Sequence, residues 1–240
     1  QGLNVLYITL EMAEERIAER IDANLLDVTM EDLHDMPKQL YEGKITKLRE
    51  KTQGQLVIKE YPTASAHSGH FKSLMNELAL KKSFRPDVIF IDYLNICASS
   101  RFKGGNISSY FYVKAIAEEL RGLAVEFNVP IFSATQTTRT GYVSTDIGLE
   151  DTSESFGLPA TADFMFALIS NEELEALGQM KVKQLKNRYN DPSINRAFII
   201  GVDRAKMRLY DVQQKAGEIV DANQVDEKED AYNKFSDFKL

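Results

Sequence analysis

Two apolar stretches of this 240-residue chain run into a carboxylate: VIFID climbs from Val88 to Asp92, and YITLEM carries Glu11. A buried charge costs on the order of several kcal/mol unless it is paired or binds a cation. In a parallel α/β sheet, ligands sit beyond the carboxyl ends of the strands. An Asp92 placed there suits a Mg²⁺ that phosphates also hold; the plain alternative is a strand-ending aspartate that caps the next turn. Glu11 suits a general base that accepts a proton from water, or else a first-turn glutamate favoured by the helix dipole. A third stretch, IFSATQ, puts Gln136 at its tip, where an amide can bond a γ-phosphate or simply serve a turn. In LKNRYND, Lys186 and Arg188 stand two apart, on one side of an extended segment. Two cations side by side are costly unless an anion lies between them. A polyphosphate is such an anion, and a solvated edge strand is the alternative reading.

The elements that must position these residues follow from periodicity. Leu3–Leu10 is an apolar run with Val, Tyr and Ile and predicts a buried strand. Ala13, Ile17, Ile21 and Leu25 recur every four residues, the spacing of a core-facing helix. Pro37–Lys51 predicts a polar helix with proline near its first turn. Gln55–Tyr61 predicts a strand, Phe71–Lys82 a helix, Asp87–Asp92 a strand, Val113–Phe127 a long amphipathic helix, and Val129–Ala134 a strand. The polar stretch TQTTRTGYVSTDIGLEDTSES is too long for a plain connector. Strands over Phe164–Ile169, Met180–Lys186, Ala197–Val202 and Arg208–Val212 close the chain. Alternation through about residue 170 implies a parallel sheet with helices on both faces. The consecutive strands after it imply an antiparallel edge or hairpins. SSYFY at Ser108–Tyr112 begins the following helix and packs there. His67 and His70 have a metal-like spacing without a nearby Cys or carboxylate and read as a polar loop.

Hydrophobic residues make up 43% of the chain, enough for a sizeable core. No apolar run approaches the ~18 residues of a membrane span. The single cysteine, Cys97, excludes an internal disulfide framework, fits a reducing compartment, and reads as a small buried hydrophobe. The net charge of -7 argues against a wholly basic nucleic-acid coat but allows a local basic face. Lys181–Arg208 indeed holds eight basic residues against two acidic ones, whereas the segment from Gly217 onward holds three against seven.

Together TLEM, VIFIDYL, SATQ, DTSESFGLPATADFMFAL and KNR, in this order, resemble the DnaB family of hexameric replicative helicases with a RecA-like motor. ERIDANLLDV, VKAIAEELRGLAVE and ESFGLPATADF are similar to its T-even-like phage branch, and the resemblance covers Asn4 to Asp211. It implies an α/β fold: a RecA-like, mostly parallel sheet with helices on both faces and antiparallel strands at the C-terminal edge. The motor would occupy residues 1–214 and an acidic tail residues 215–240. Glu11 resembles the catalytic glutamate that polarises the attacking water, and Asp92 the Walker B aspartate that binds Mg²⁺ through water. Gln136 resembles the sensor that couples γ-phosphate to DNA contact. Arg188, with Lys186 as its companion, resembles an arginine finger supplied to a neighbouring subunit, a device that contributes a rate factor of about 10³–10⁵. Thr152, Ser153, Glu154, Ser155 and Gly157 fall where the family holds single-stranded DNA phosphates. Arg139 and the Arg101–Ser109 loop fall towards the central channel, where binding tracks the backbone. The implied cofactors are ATP and Mg²⁺. The implied partners are single-stranded DNA, further copies in a hexameric ring, a primase and a helicase loader, with no membrane, in the cytoplasm of a bacterial or phage-infected cell.

The chain departs from the family in one respect. The phosphate cradle G-x-x-x-x-G-K-[ST] stands one strand and one helix upstream of the TLEM strand, and it is not in this sequence: Gly43-Lys44 is followed by Ile45, and Gly69 by His70. Without its amides and lysine, most of an ATP site is missing. The expectation is a chain that starts after the cradle's helix. By itself it would be a poor ATPase and weakly oligomeric, with a sheet that either closes over a lost central strand or keeps a break. A RecA-like recombinase or clock-type ATPase is the alternative on the same fold, although TLEM and KNR favour the helicase. A third reading is a non-catalytic module that joins rings or binds a loader through the acidic tail.

Overall fold

At the centre of the sheet, β1 (Val5–Thr9) is buried on both faces at its carboxyl end: Leu6, Ile8 and Thr9 are fully enclosed, and Leu10 follows them inside. The computed structural model describes residues 2–102, 107–137, 148–149, 157–191, 194 and 196–212. β1 lies between β2 (Leu56–Glu60) and β3 (Val88–Asp92), and β4 (Ile131–Ser133) completes a parallel sheet of order β2-β1-β3-β4. The registers align Thr9 with both Glu60 and Asp92, so these strands end together. Period-two alternation sends Leu6, Ile8, Ile89 and Ile91 to one face. There they meet α4 (Ser68–Lys82) through Phe71, Leu74, Met75 and Leu78, and α5 (Ser109–Phe127) through Val113, Ile116, Leu120 and Leu123.

The opposite face carries an aromatic row. Tyr7 and Phe90 stack at 6.2 Å between ring centres, and Phe90 and Phe132 at 5.3 Å. α1 (Glu14–Leu26) covers the β2 side of this face, anchored by the Lys59–Glu14 ion pair of 3.0 Å and by Glu14 accepting from the Glu60 amide. Phe90 and Phe132 stay 37% and 48% exposed. α2 (Met30–His34) and α3 (Lys38–Lys51) follow α1, with the Tyr41 hydroxyl donating to Asp22.

The later strands form a sheet of their own. β5 (Phe164–Ile169), β6 (Gln179–Asn187), β7 (Ala197–Asp203) and β8 (Arg208–Asp211) pair antiparallel in sequence order. Of the two arrangements the sequence allows for these strands, an antiparallel edge or hairpins, the structure has successive hairpins. Among the described residues, no strand pairs with the outer edge of β4 or with the outer edge of β5, so the break foreseen for a lost central strand is kept. Packing joins the two sheets: Met165 of β5 lies against the main core, and α6 (Gly157–Thr161) lies against α5. The approach of α6 to α5 is close, and a Cβ at Gly157 would fall 2.9 Å from the Lys114 stem. A short helix, α7 (Glu172–Ala176), links β5 to β6. The β7–β8 turn docks on the end of α1. Asn24 donates to the Met207 carbonyl at 2.7 Å, Met30 donates its amide to the Ala205 carbonyl, and Lys206 and Arg208 both pair with Asp27. Lys206 first, then Arg208, holds the Asp27 carboxyl below its ordinary range. No described helix is long and apolar enough to cross a membrane. The acidic tail expected over 215–240 lies outside the described residues.

Glu119 of α5 fastens the segment after β3. Its carboxylate accepts from the Ser99 hydroxyl at 2.6 Å, the Ser100 amide and hydroxyl at 2.9 and 2.8 Å, and the Ser68 hydroxyl at 2.9 Å. Burial alone would raise its pKa, but these donors outweigh burial and lower it. Glu119→Ala is expected to reduce the unfolding free energy by about 2 kcal/mol at neutral pH. A carboxyl depressed in the fold stabilises above its unfolded pKa and ceases to as pH falls through the folded value. Urea titrations should therefore show the wild-type and variant curves converging in acid, and a gap independent of pH would refute the assignment.

Candidate functional site

Three of the chemically suggestive residues meet at the carboxyl edge of the parallel sheet. The Leu10 amide donates to the Asp92 carbonyl at 2.9 Å, which ties the end of β1 to the end of β3. Thr9 then shapes the turn that bears Glu11: its buried hydroxyl donates to the Met12 carbonyl at 2.9 Å and accepts from the Met12 amide at 3.0 Å. The Thr63 hydroxyl donates to the Leu10 carbonyl at 2.6 Å, and the Tyr61 amide to the Thr9 carbonyl at 2.9 Å. Glu11, held from both sides, is exposed, and its carboxylate has no partner among the described residues.

Asp92 is half-buried, and the Tyr7 hydroxyl donates to its Oδ2 at 3.0 Å. Burial first, then the Asp92 charge and hydrogen bond, pushes the Tyr7 phenol far above its ordinary value. Tyr7 is therefore a standing donor that orients Asp92 and leaves its other oxygen for a ligand. The Asp92–Tyr93 peptide is cis. The Tyr93 hydroxyl accepts from Gln136 Nε2 at 3.1 Å, so the tip of IFSATQ touches the residue next to Asp92. Ser133 and Ala134 register this third strand end, through Ser133 Oγ to the Ile91 carbonyl at 2.8 Å and the Leu94 amide to the Ala134 carbonyl at 3.3 Å. Thr135 keeps a buried hydroxyl with no hydrogen-bond partner among the described residues.

Among the described residues, no group of three or more His, Cys, Asp or Glu side chains forms a metal cage. One oriented carboxylate with a free oxygen, beside a second carboxylate, is what a largely hydrated Mg²⁺ shared with phosphates requires.

Lys186 and Arg188 belong to the second sheet. They do point the same way, both reaching the Ala160 carbonyl, and a carboxylate of the chain itself meets Arg188. Arg188 pairs with Asp163 at 2.9 Å and donates to the Ala160 carbonyl at 2.9 Å. Lys186 donates to the Pro159 and Ala160 carbonyls at the end of α6. Burial first, then Arg188, lowers the Lys186 pKa. No motif or spacing pointed to Arg121 of α5, which pairs with the same Asp163 at 2.8 Å. None of these bonds reaches Glu11, Asp92 or Gln136 within one chain.

Of the residues assigned to DNA by resemblance, Arg139, Thr152, Ser153, Glu154 and Ser155 lie outside the described residues. Gly157 is buried at the start of α6. Arg101, in the loop after β3, pairs with Glu118. His67 and His70 turn out to be a capping pair for α4: the Gly69 amide donates to His67 Nδ1, and the His67 amide to His70 Nδ1. Ser108–Tyr112 does begin α5, with the Tyr112 hydroxyl accepting from the Ser99 amide. Cys97 is buried, and burial pushes its thiol up to about 12, as suits an inert core residue.

Residues 1–216 match the family model for the DnaB-like helicase C terminal domain. The DnaB-like replicative helicase of Enterobacteria phage T4 is 44% identical over 241 residues, covering 97% of this chain and 51% of that protein. A probable plasmid replicative DNA helicase of Chlamydia trachomatis is 34% identical over 144 residues, 58% of this chain and 30% of that protein. The chain thus spans about half the length of the phage relative, and less of the chlamydial one. A solved DnaB-like replicative helicase, described with its interactions with primase, shares the fold. Its TM-score is 0.69 at 16% identity, over 88% of this chain and 51% of that one. A solved ATPase domain does likewise, with a TM-score of 0.70 at 16% identity, over 88% and 75%.

The Thr9 hydroxyl is the internal support of the Glu11 turn. Thr9→Val, which keeps the shape and removes both bonds, is expected to lower the unfolding free energy by about 1–3 kcal/mol, while Thr9→Ser keeps the bonds and loses less. Equal losses for the two variants in urea titration would show that the methyl group, and not the hydroxyl, supports the turn.

Proposed function

Because the chain belongs to the DnaB-like helicase C terminal domain family, we propose that it supplies most of the motor of a replicative helicase that moves along single-stranded DNA by hydrolysing ATP between subunits of a hexameric ring. The observation that carries this reading is the convergence at one sheet edge of an unpartnered Glu11, a Tyr7-oriented Asp92 and a Gln136 tied to Tyr93.

Mg²⁺–ATP, when bound, supplies an electrophilic γ-phosphoryl group. Asp92 holds the hydrated cation through its free oxygen. Glu11 orients a water and accepts its proton as the water attacks. Gln136 senses the terminal phosphate at one end of its amide, and its link to Tyr93 passes that contact to the residue beside Asp92. Lys186 and Arg188, too remote in the fold to bond with Asp92 of their own chain, serve a neighbour's phosphates. Thr152, Ser153, Glu154, Ser155 and Gly157, together with Arg139, line the path of the DNA backbone. A primase and a helicase loader are further partners, the first in keeping with the solved relative described with primase.

On this reading a strand and helix bearing G-x-x-x-x-G-K-[ST] complete the motor beside β4, whose outer edge is unpaired among the described residues and whose flank carries the half-exposed Phe90 and Phe132. The absence of that motif from the chain supports one further reading, a non-catalytic module acting through its acidic tail.

Two measurements test the site assignments. In a full-length ring that contains the cradle, Arg188→Ala is expected to reduce DNA-stimulated ATP hydrolysis by a factor of about 10³ or more, with nucleotide affinity unchanged. Retained hydrolysis would remove Arg188 from the mechanism. For the 240-residue chain alone, calorimetry is expected to show no micromolar Mg-ATP binding, and tight binding would show that the cradle is dispensable.

A further inference from the structure

Asp163 stands between β6 and α5 with two arginines on a single oxygen. Its Oδ1 accepts a hydrogen bond from Arg121 at 2.8 Å and forms an ion pair with Arg188 at 2.9 Å. Each arginine also grips the end of α6: Arg121 bonds the Thr161 carbonyl at 2.9 Å, and Arg188 the Ala160 carbonyl at 2.9 Å. The backbone is pinned separately, since the Arg188 amide donates to the Asp163 carbonyl at 2.9 Å. The three side chains are only partly enclosed, with exposures of 37% for Arg121, 39% for Asp163 and 38% for Arg188. Two arginines thus share one carboxylate, Lys186 bonds the carbonyls of the same short helix, and the cluster has positive charge to spare.

We propose that Asp163 is a parking site for Arg188, and that Arg121 keeps the Asp163 carboxylate paired when the Arg188 side chain leaves for an anion on a neighbouring subunit. The proposal rests on the motor reading above, in which Arg188 acts in trans. An arginine that serves a neighbour must have a resting position on its own chain. Leaving that position ordinarily strands a partly enclosed carboxylate without a partner, which is unfavourable. Arg121 already shares the same oxygen, so departure of Arg188 leaves no unpaired charge behind. The pinned backbone confines the motion to the side chain. The parked and extended states therefore differ by about the worth of one half-exposed ion pair, a gap that a bound anion can reverse. Asp163 is on this account a positioning residue and touches no substrate.

The two variants have opposite signatures. In the full-length ring, Asp163→Asn weakens the parking site, and DNA-free kcat is expected to rise about two- to fivefold, the range commanded by a half-exposed pair. Arg121→Gln leaves Arg188 as the sole partner of Asp163, and DNA-free kcat is expected to fall by a similar factor. The KM for ATP stays the same in both, and the double variant behaves as Asp163→Asn. A merely structural role slows both variants together and lowers both melting temperatures, and that result overturns the parking site. If Asp163→Asn does not fold, Arg121→Gln decides alone: unchanged or faster DNA-free turnover overturns the proposal. If the wild-type ring shows no DNA-stimulated hydrolysis, the motor reading fails and this proposal fails with it. Stimulation that is present, with both variants slowed alike, overturns the parking site only.

Discussion

The hydrogen bond from the Leu10 amide to the Asp92 carbonyl fixes where β1 and β3 stop relative to each other, and the candidate site follows from that alignment. Parallel registry makes side chains at equal heights into neighbours. With Thr9 level with Asp92 and with Glu60, the turn after β1 must open at the height of Asp92. Thr9 has no solvent to bond with, so its hydroxyl turns back on the Met12 backbone and gives that turn one shape. Glu11 is then presented outward by a backbone held through Thr63, Tyr61 and Asp92, and not by contacts of its own. A base that acts on water needs this combination of a rigid support and a free carboxylate.

The same economy governs Asp92. A half-buried carboxylate at a strand end calls for a donor, and Tyr7, two residues before Thr9 on the neighbouring strand, supplies one. Tyr7 also opens the aromatic row that continues through Phe90 and Phe132. One face of the sheet thus combines the orientation of Asp92 with an apolar surface beside the edge of β4 that is unpaired among the described residues.

The second sheet is held by charge as much as by packing. Its own buried core is small, Ala167 and Ile169 with Leu185 against them. It is joined to the first sheet by Met165, by α6 on α5, by Asp163 between two arginines, and by the β7–β8 turn on Asp27. The basic excess of Lys181–Arg208 is therefore only partly a surface for partners. Lys206 and Arg208 serve the fold at Asp27, whereas Lys186 and Arg188 hold positions at the end of α6 from which they can be recruited.

The sequence by itself determined the elements and the chemical types at their ends. Local patterns carry that information: apolar runs marked β1 and β3, the four-residue spacing marked α1, and carboxylates at the ends of apolar runs marked Glu11 and Asp92. Elements too short for a period, α2, α6 and α7 at five residues each, went unread. His67 and His70 read as loop residues because capping depends on backbone angles that composition does not reveal. Only the tertiary structure decided the partners. Tyr7 meets Asp92 across 85 residues of chain, Arg121 meets Asp163 across 42, and Lys206 meets Asp27 across 179. It also decided that Arg188 pairs with Asp163 while Lys186 bonds the α6 carbonyls, and that β4 and β5 stay unpaired with each other. Pairing of this kind depends on register and on the packing of whole elements, which no short window of sequence contains.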